Sequence, residues 1–170
     1  METTTQRSVL VSAMLAEHYP QVKEIYERGM ATNNATLETK APEWAEWDAK
    51  HLKSCRFVAT VEGRVVGWAA LSPVSGRCVY GGVAEDSVYV HPDSMGQGIG
   101  KRLLQELVPA SEQAGIWMLQ AHILVENTAS IKLHAQCGFR TVGVRERLGQ
   151  LHGQWRDTCL MERRSNLVGV

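Results

Sequence analysis

Between Ser87 and Leu104 the chain reads Ser-Val-Tyr-Val-His-Pro-Asp-Ser-Met-Gly-Gln-Gly-Ile-Gly-Lys-Arg-Leu-Leu, a β-prone run, a loop, and three alternate glycines where a helix starts. Glycine lets a backbone pass close to an anion and aim several N–H groups at it, and the helix N-terminus adds roughly half a positive charge. The chemistry this predicts is the grip of a phosphate, with Lys101 and Arg102 placed to add a charge-assisted contact. Rival phosphate motifs fail on spacing. A Walker loop needs glycine where Met95 stands and a hydroxyl where Arg102 stands. A Rossmann turn needs its third glycine at residue 101 and a strand running directly into it, whereas the third glycine here is Gly100. A glycine-rich strand-to-helix turn with no ligand is the remaining alternative.

The elements that must position this turn can be read from periodicity. Val9, Val11 and Met14 open with a strand-like run, and Pro20 suits the first turn of a helix carrying Val22, Ile25 and Tyr26, which Gly29 weakens or ends. A polar segment, 32–40, leads to Pro42 and a short helix with Trp44 and Trp47 on one side. Runs 57–61 and 65–71 flank Gly63-Arg64 and read as a hairpin. A loop is expected over 71–84, with Pro73, Gly76, Gly81 and Gly82, and then a short strand, 87–90. A helix over about 98–114 turns Leu103, Leu104, Leu107 and Val108 inward and should kink at Pro109. Strand 116–124, helix 127–137 and closing strands 139–148 and 156–161 complete an order β-α-α-β-β-β-α-β-α-β-β, an α/β fold.

Bulk properties narrow the function classes. With 170 residues and no repeat, low-complexity tract or linker, residues 1–170 are expected to form one domain. Eighteen basic side chains balance eighteen acidic ones, so nothing suggests a nucleic-acid footprint. The first twenty residues lack a signal-peptide pattern, and no apolar run approaches the ~20 residues of a membrane span, so a cytoplasmic, non-membrane protein is expected. Cys55, Cys78, Cys137 and Cys159 are scattered without a C-x-x-C pair, which predicts reduced thiols and no metal. On the helix from residue 127, Asn127, Ser130 and His134 fall three and four apart and share a face, a pattern most often only solvated.

The glycine turn resembles the [RQ]-x-x-G-x-[GA] motif of the GNAT superfamily, with Met95 standing where Arg or Gln is usual. Glu85-Asp-Ser-Val-Tyr-Val90, Asn127-Thr-Ala-Ser-Ile-Lys-Leu-His134, Cys137-Gly-Phe139 and His152-Gly-Gln-Trp155-Arg-Asp157 together resemble the phosphinothricin and methionine-sulfone (sulfoximine) N-acetyltransferases. That resemblance implies a single-domain GNAT fold with a mixed, mostly antiparallel sheet of about seven strands and helices on both faces. It implies acetyl-CoA as co-substrate, a small-molecule amine as acceptor and a homodimer; direct transfer is expected over an acyl-enzyme on Cys137, because no His-Cys pairing is evident and a thiol at an apolar helix turn is usually core. Its motif places Val88, Tyr89, Val90, Met95, Gly96, Gln97, Gly98, Ile99, Gly100, Lys101, Asn127 and Ser130 on the cofactor.

The same resemblance makes Glu85 the general base for the ammonium, with Asp86 its rival on spacing alone. The oxyanion of the intermediate is expected to meet backbone N–H groups of Val88 to Val90 where neighbouring strands splay. His134 is expected to protonate the leaving thiolate, to position the cofactor, or to be a plain helix histidine. Thr36, Glu38, Arg77 and Tyr80 belong to segments that line the acceptor pocket in the resembling family, and Arg77 could clamp a carboxylate or stand exposed. Alternatives kept open are another acceptor, such as a polyamine, an aminoglycoside or a protein N-terminus, and a CoA-binding sensor without catalysis.

Overall fold

A computed structural model describes residues 8–170; the start of the segment read for a leader, residues 1–7, lies outside the described residues. The elements follow the expected order: β1 (Val9–Ala13), α1 (Tyr19–Ala31), α2 (Trp44–Lys50), β2 (Phe57–Val61), β3 (Arg64–Pro73), β4 (Val83–Val90), α3 (Ile99–Gln113), β5 (Met118–Leu124), α4 (Thr128–Gln136), β6 (Arg140–Leu151) and β7 (Gln154–Arg164). One seven-stranded sheet runs β1-β2-β3-β4-β5-β7-β6, antiparallel throughout except for the β4–β5 pair.

Each face of the sheet carries its own core. On one side Leu103, Leu104 and Leu107 of α3 pack with Ala84, Ala121, Ile123 and Met161. On the other, Val22 and Ile25 of α1 and Trp47 of α2 pack with Val58, Val65 and Trp68. Strand alternation explains the division, because successive side chains leave opposite faces. The aromatic cluster beneath α2 is dense: Trp47 meets Trp68 edge-on with centroids 5.7 Å apart, and Trp68 stacks on Tyr89 at 4.9 Å.

Several boundaries differ from the sequence reading. The loop expected over 71–84 is shorter, since β3 continues to Pro73 and pairs with β4 as Ser72↔Glu85 and Pro73↔Ala84. Glu85 therefore lies inside a strand and not two residues before one. Gly82 lies in a turn within the expected loop, and close approach also demands glycine there: a Cβ would come within 2.0 Å of the Trp117 ring. Pro109 does not break α3, which runs on to Gln113 with Pro109 and Gln105 both exposed, so water can satisfy the carbonyl that the missing N–H leaves. Gly29 does not end α1, which reaches Ala31 and lies against Tyr89. The β2–β3 turn is Glu62-Gly63, both at positive φ, while Arg64 already belongs to β3. The closing strands are longer than read, because the β6–β7 pairing runs from Arg140↔Glu162 to Leu151↔Gln154.

Candidate active site

The site begins where two strands part. β4 and β5 pair only as Val83↔Met118, Ala84↔Leu119 and Glu85↔Gln120, and no pairing continues beyond Glu85. On the β3 side the ladder persists to Val90. Backbone direction follows from three bonds: Trp117 and Met118 donate to the Gly82 carbonyl, while His91 donates to the Val66 carbonyl of β3 at 2.8 Å. Alternation between these points turns the N–H groups of Val88 and Val90 toward the open side. The Tyr89 amide faces β3, so the oxyanion donors expected over 88–90 reduce to two.

At the lower end of the opening lies the glycine turn. Gly96 and Gly98 adopt φ of 76° and 75°, and a Cβ at either would meet nothing within 4 Å, so the conformation and not crowding demands glycine. Gly98 is the N-cap of α3 and supplies no side-chain bond; the first helical bond runs from Arg102 N–H to the Gly98 carbonyl at 3.1 Å. The amides of Ile99, Gly100 and Lys101 are thus left for a ligand. A cleft of about 550 Å³ runs from this turn along β4 to α4, walled by Val88, Tyr89, Val90, Met95, Gly96, Gly98, Ile99, Gly100, Lys101, Asn127 and Ser130. Those features fit a long ligand with a diphosphate at one end. Of the expected cofactor residues only Gln97, exposed in the turn, is not on this wall.

A second cleft of about 310 Å³ shares Ala35, Val88, Tyr89, Asn127 and Ser130 with the first. Glu85, Thr36 and Glu38 line it, with Tyr26, His122 and His134. Arg77 and Tyr80 do not: Tyr80 ends an exposed one-turn helix after β3 and Arg77 is its N-cap, with the Arg77 guanidinium over the Tyr80 ring at 5.7 Å. The two segments that the sequence could not rank are thereby separated, one reaching the cleft and the other not.

Glu85 and Asp86 have different surroundings. The Asp86 side chain is 1% exposed and its Oδ2 lies 2.9 Å from Nε2 of His134, itself 4% exposed. Nδ1 of His134 donates to the Ser130 carbonyl at 2.8 Å, so both ring nitrogens are committed. Burial by itself would lower the His134 pKa, but the hydrogen bond and negative charge of Asp86, with the Ser130 carbonyl, outweigh it and raise the pKa above the ordinary value. Asn127 caps α4 by accepting from Ser130 N–H at 3.2 Å. Glu85 instead is 34% exposed and hydrogen-bonds through Oε1 to Nδ1 of His122.

His122 was missed in the sequence although its signal was present. Leu119, Ala121 and Ile123 of β5 are buried, and the alternation puts Gln120 and His122 on the opposite face, the one Glu85 occupies. Cys137 lines neither cleft, and burial pushes its thiol pKa up, away from the reactive thiolate. Among the described residues no cluster of three or more His, Cys, Asp or Glu side chains could hold a metal ion, and no helix is long and apolar enough to cross a membrane.

The model of the acetyltransferase (GNAT) family matches residues 19–139. The chain is 37% identical over 154 residues to the phosphinothricin N-acetyltransferase of Alcaligenes faecalis, covering 86% of this chain and 78% of that one. It is 33% identical over 122 residues to the L-methionine sulfoximine/L-methionine sulfone acetyltransferase of Pseudomonas aeruginosa, covering 70% and 69%. The crystal structure of a GNAT superfamily phosphinothricin acetyltransferase from Sinorhizobium meliloti in complex with AcCoA superposes with a TM-score of 0.85 at 31% identity, covering 95% of this chain and 90% of that one. The chain belongs to the GNAT acetyltransferase family and is an N-acetyltransferase that uses acetyl-CoA.

Proposed function

We propose that the protein acetylates the primary amine of a small amino acid or analogue of the phosphinothricin or methionine sulfoximine and sulfone type, by direct transfer from acetyl-CoA. The observation that carries this reading is the placement of the Glu85 carboxylate in a small cleft that shares a wall with the cofactor-sized one. Relatives named for those acceptors supply the substrate class.

In this reading the diphosphate rests on the amides at the start of α3, and the pantetheine arm runs along the unpaired edge of β4. An acceptor arrives as an ammonium ion and cannot attack a thioester until Glu85 removes a proton. The amine nitrogen then bonds to the acetyl carbon, and the oxyanion is held by the Val88 N–H in the shared wall. Collapse breaks the carbon–sulfur bond and releases the thiolate; the second proton shed by the nitrogen as it becomes an amide balances the one the thiolate takes up to leave as CoA. Tyr26 and Thr36 offer hydroxyl donors to the acceptor's carboxylate, and Glu38 a second negative group near its amine. For His134, with both nitrogens engaged, positioning is the role the geometry supports: it ties α4, and with it Asn127 and Ser130, to β4.

A homodimer belongs to the same reading; Val142, Val144, Leu148 and Trp155 of the outer β6–β7 hairpin are all exposed and apolar enough to serve it. The test of the function is Glu85→Gln, assayed by thiol release with phosphinothricin, methionine sulfoximine and methionine sulfone beside a polyamine and an aminoglycoside. Normal acetyl-CoA binding with turnover lost on the amino-acid analogues is expected; full turnover with every acceptor would remove Glu85 as base.

A further inference from the structure

Glu85 does not stand alone. Its Oε1 is bonded to Nδ1 of His122, and the other ring nitrogen, Nε2, lies 3.1 Å from a terminal nitrogen of Arg145 on β6. A guanidinium has donors only, so Nε2 must present its lone pair to Arg145. The ring proton is then on Nδ1, where it points at the carboxylate. Glu85 Oε2 has no protein partner among the described residues, and Glu85 and His122 both line the acceptor cleft.

We propose that His122 is the positioning residue for Glu85 and that Arg145 fixes the tautomer in which it does so. The inference rests on Glu85 acting as base. A glutamate on a strand has three side-chain torsions, and the terminal one is broad, so a carboxylate held at neither oxygen spends its time in many orientations. Binding Oε1 from β5 leaves the lone pairs of Oε2 for the substrate ammonium. His122 can reach Oε1 because it lies two residues past Gln120, the last β5 partner of β4, on the face that Glu85 occupies. The imidazole needs no change of protonation during the reaction: the proton leaving the amine goes to Glu85, and the Nδ1–H bond stays in place. His122 thus acts through Glu85 and makes no bond to the reacting atoms.

The test uses the full-length enzyme with acetyl-CoA and a methionine sulfoximine acceptor. His122→Leu, which has no donor, is expected to lower kcat by roughly 10- to 100-fold with little change in the KM for acetyl-CoA, as a misplaced base should. His122→Asn carries an amide N–H close to where Nδ1 stood and should recover most of that loss. Arg145→Met should lower kcat in the wild-type background and do nothing further in the His122→Asn background, because an amide has no tautomer to lock. Wild-type kcat in His122→Leu, while Glu85→Gln is inactive, would overturn the inference and leave the base standing. Equal losses in Leu and Asn variants that melt and bind acetyl-CoA normally would overturn it too. Should Glu85→Gln itself keep full turnover, the base falls and the positioning role with it; should His122→Leu fail to fold, the Asn variant and the Arg145 pair decide alone.

Discussion

Glu85 and Asp86, adjacent on β4, send their carboxylates to opposite faces of the sheet, the first to His122 on β5 and the second to His134 on α4. Both border the acceptor cleft, but the Glu85 side chain is 34% exposed, while that of Asp86 is 1% exposed and held in a buried pair. Adjacent residues of equal charge are thus expected to give opposite phenotypes. Asp86→Asn should cost about 3 kcal/mol of stability in chemical denaturation, because it strips the buried His134 ring of its charged partner. Glu85→Gln should melt like the wild type and lose turnover. A stable, inactive Asp86→Asn beside an active Glu85→Gln would exchange the two assignments.

The buried pair also predicts how stability moves with pH. The His134 pKa in the folded protein is raised above its ordinary value of 6.5, so folding favours the protonated ring. Its stabilisation is complete below that value and declines as pH rises through the elevated one. The melting-temperature gap between wild type and His134→Gln should therefore narrow from pH 6.5 upward. A gap that widens with pH would show the neutral ring to be the favoured form.

At the glycine turn, Gly98→Ala meets no neighbouring atom, so its whole cost is the left-handed backbone at φ 75°. A loss of about 1–2 kcal/mol in stability is expected. Weaker acetyl-CoA binding by calorimetry should accompany it, since relaxing that φ turns the amides at the start of α3. An unaltered Kd for acetyl-CoA would separate the turn from the cofactor.

Met95 is 62% exposed at the edge of the cofactor cleft, beside Gly96. Met95→Arg should tighten acetyl-CoA binding about two- to fivefold, the return on one exposed charge near a helix N-terminus occupied by an anion. Added salt should erase the gain.

On the outer hairpin, Val144 and Trp155 are 56% and 57% exposed. If they serve a homodimer, Val144→Glu with Trp155→Glu should convert a dimer to a monomer in sedimentation equilibrium. A wild-type chain that already sediments as a monomer would end that reading.

Much of the fold was legible because strand and helix periods differ so plainly here: the leucines at 103, 104 and 107 and the alternation in β5 each left one consistent choice. The cofactor wall was legible for a related reason, since main chain does the binding and glycines mark where main chain must be bare. The acceptor side was not. Whether Glu85 or Asp86 presented an accessible carboxylate depended on where β4 began, and nothing in the local sequence announces that Trp117 packs on Gly82. Arg77 and Thr36 were equally plausible polar loop residues, and only the path of the chain separates them. His122 and Arg145 meet across 23 positions of sequence, a relation that no local pattern carries.

The parity of β4 has a consequence for how this chain can vary. Every second residue belongs to the same side, so inserting or deleting a single residue between Gly82 and Glu85 would swap sides for all that follows unless the helix-bound end gave way first. Reactive acid and buried anchor would trade places, and Val88 would turn its amide into the intact ladder. Length changes in this strand should be tolerated only in pairs, or not at all, whereas the exposed stretch from Val74 to Gly81 is free to grow by any number.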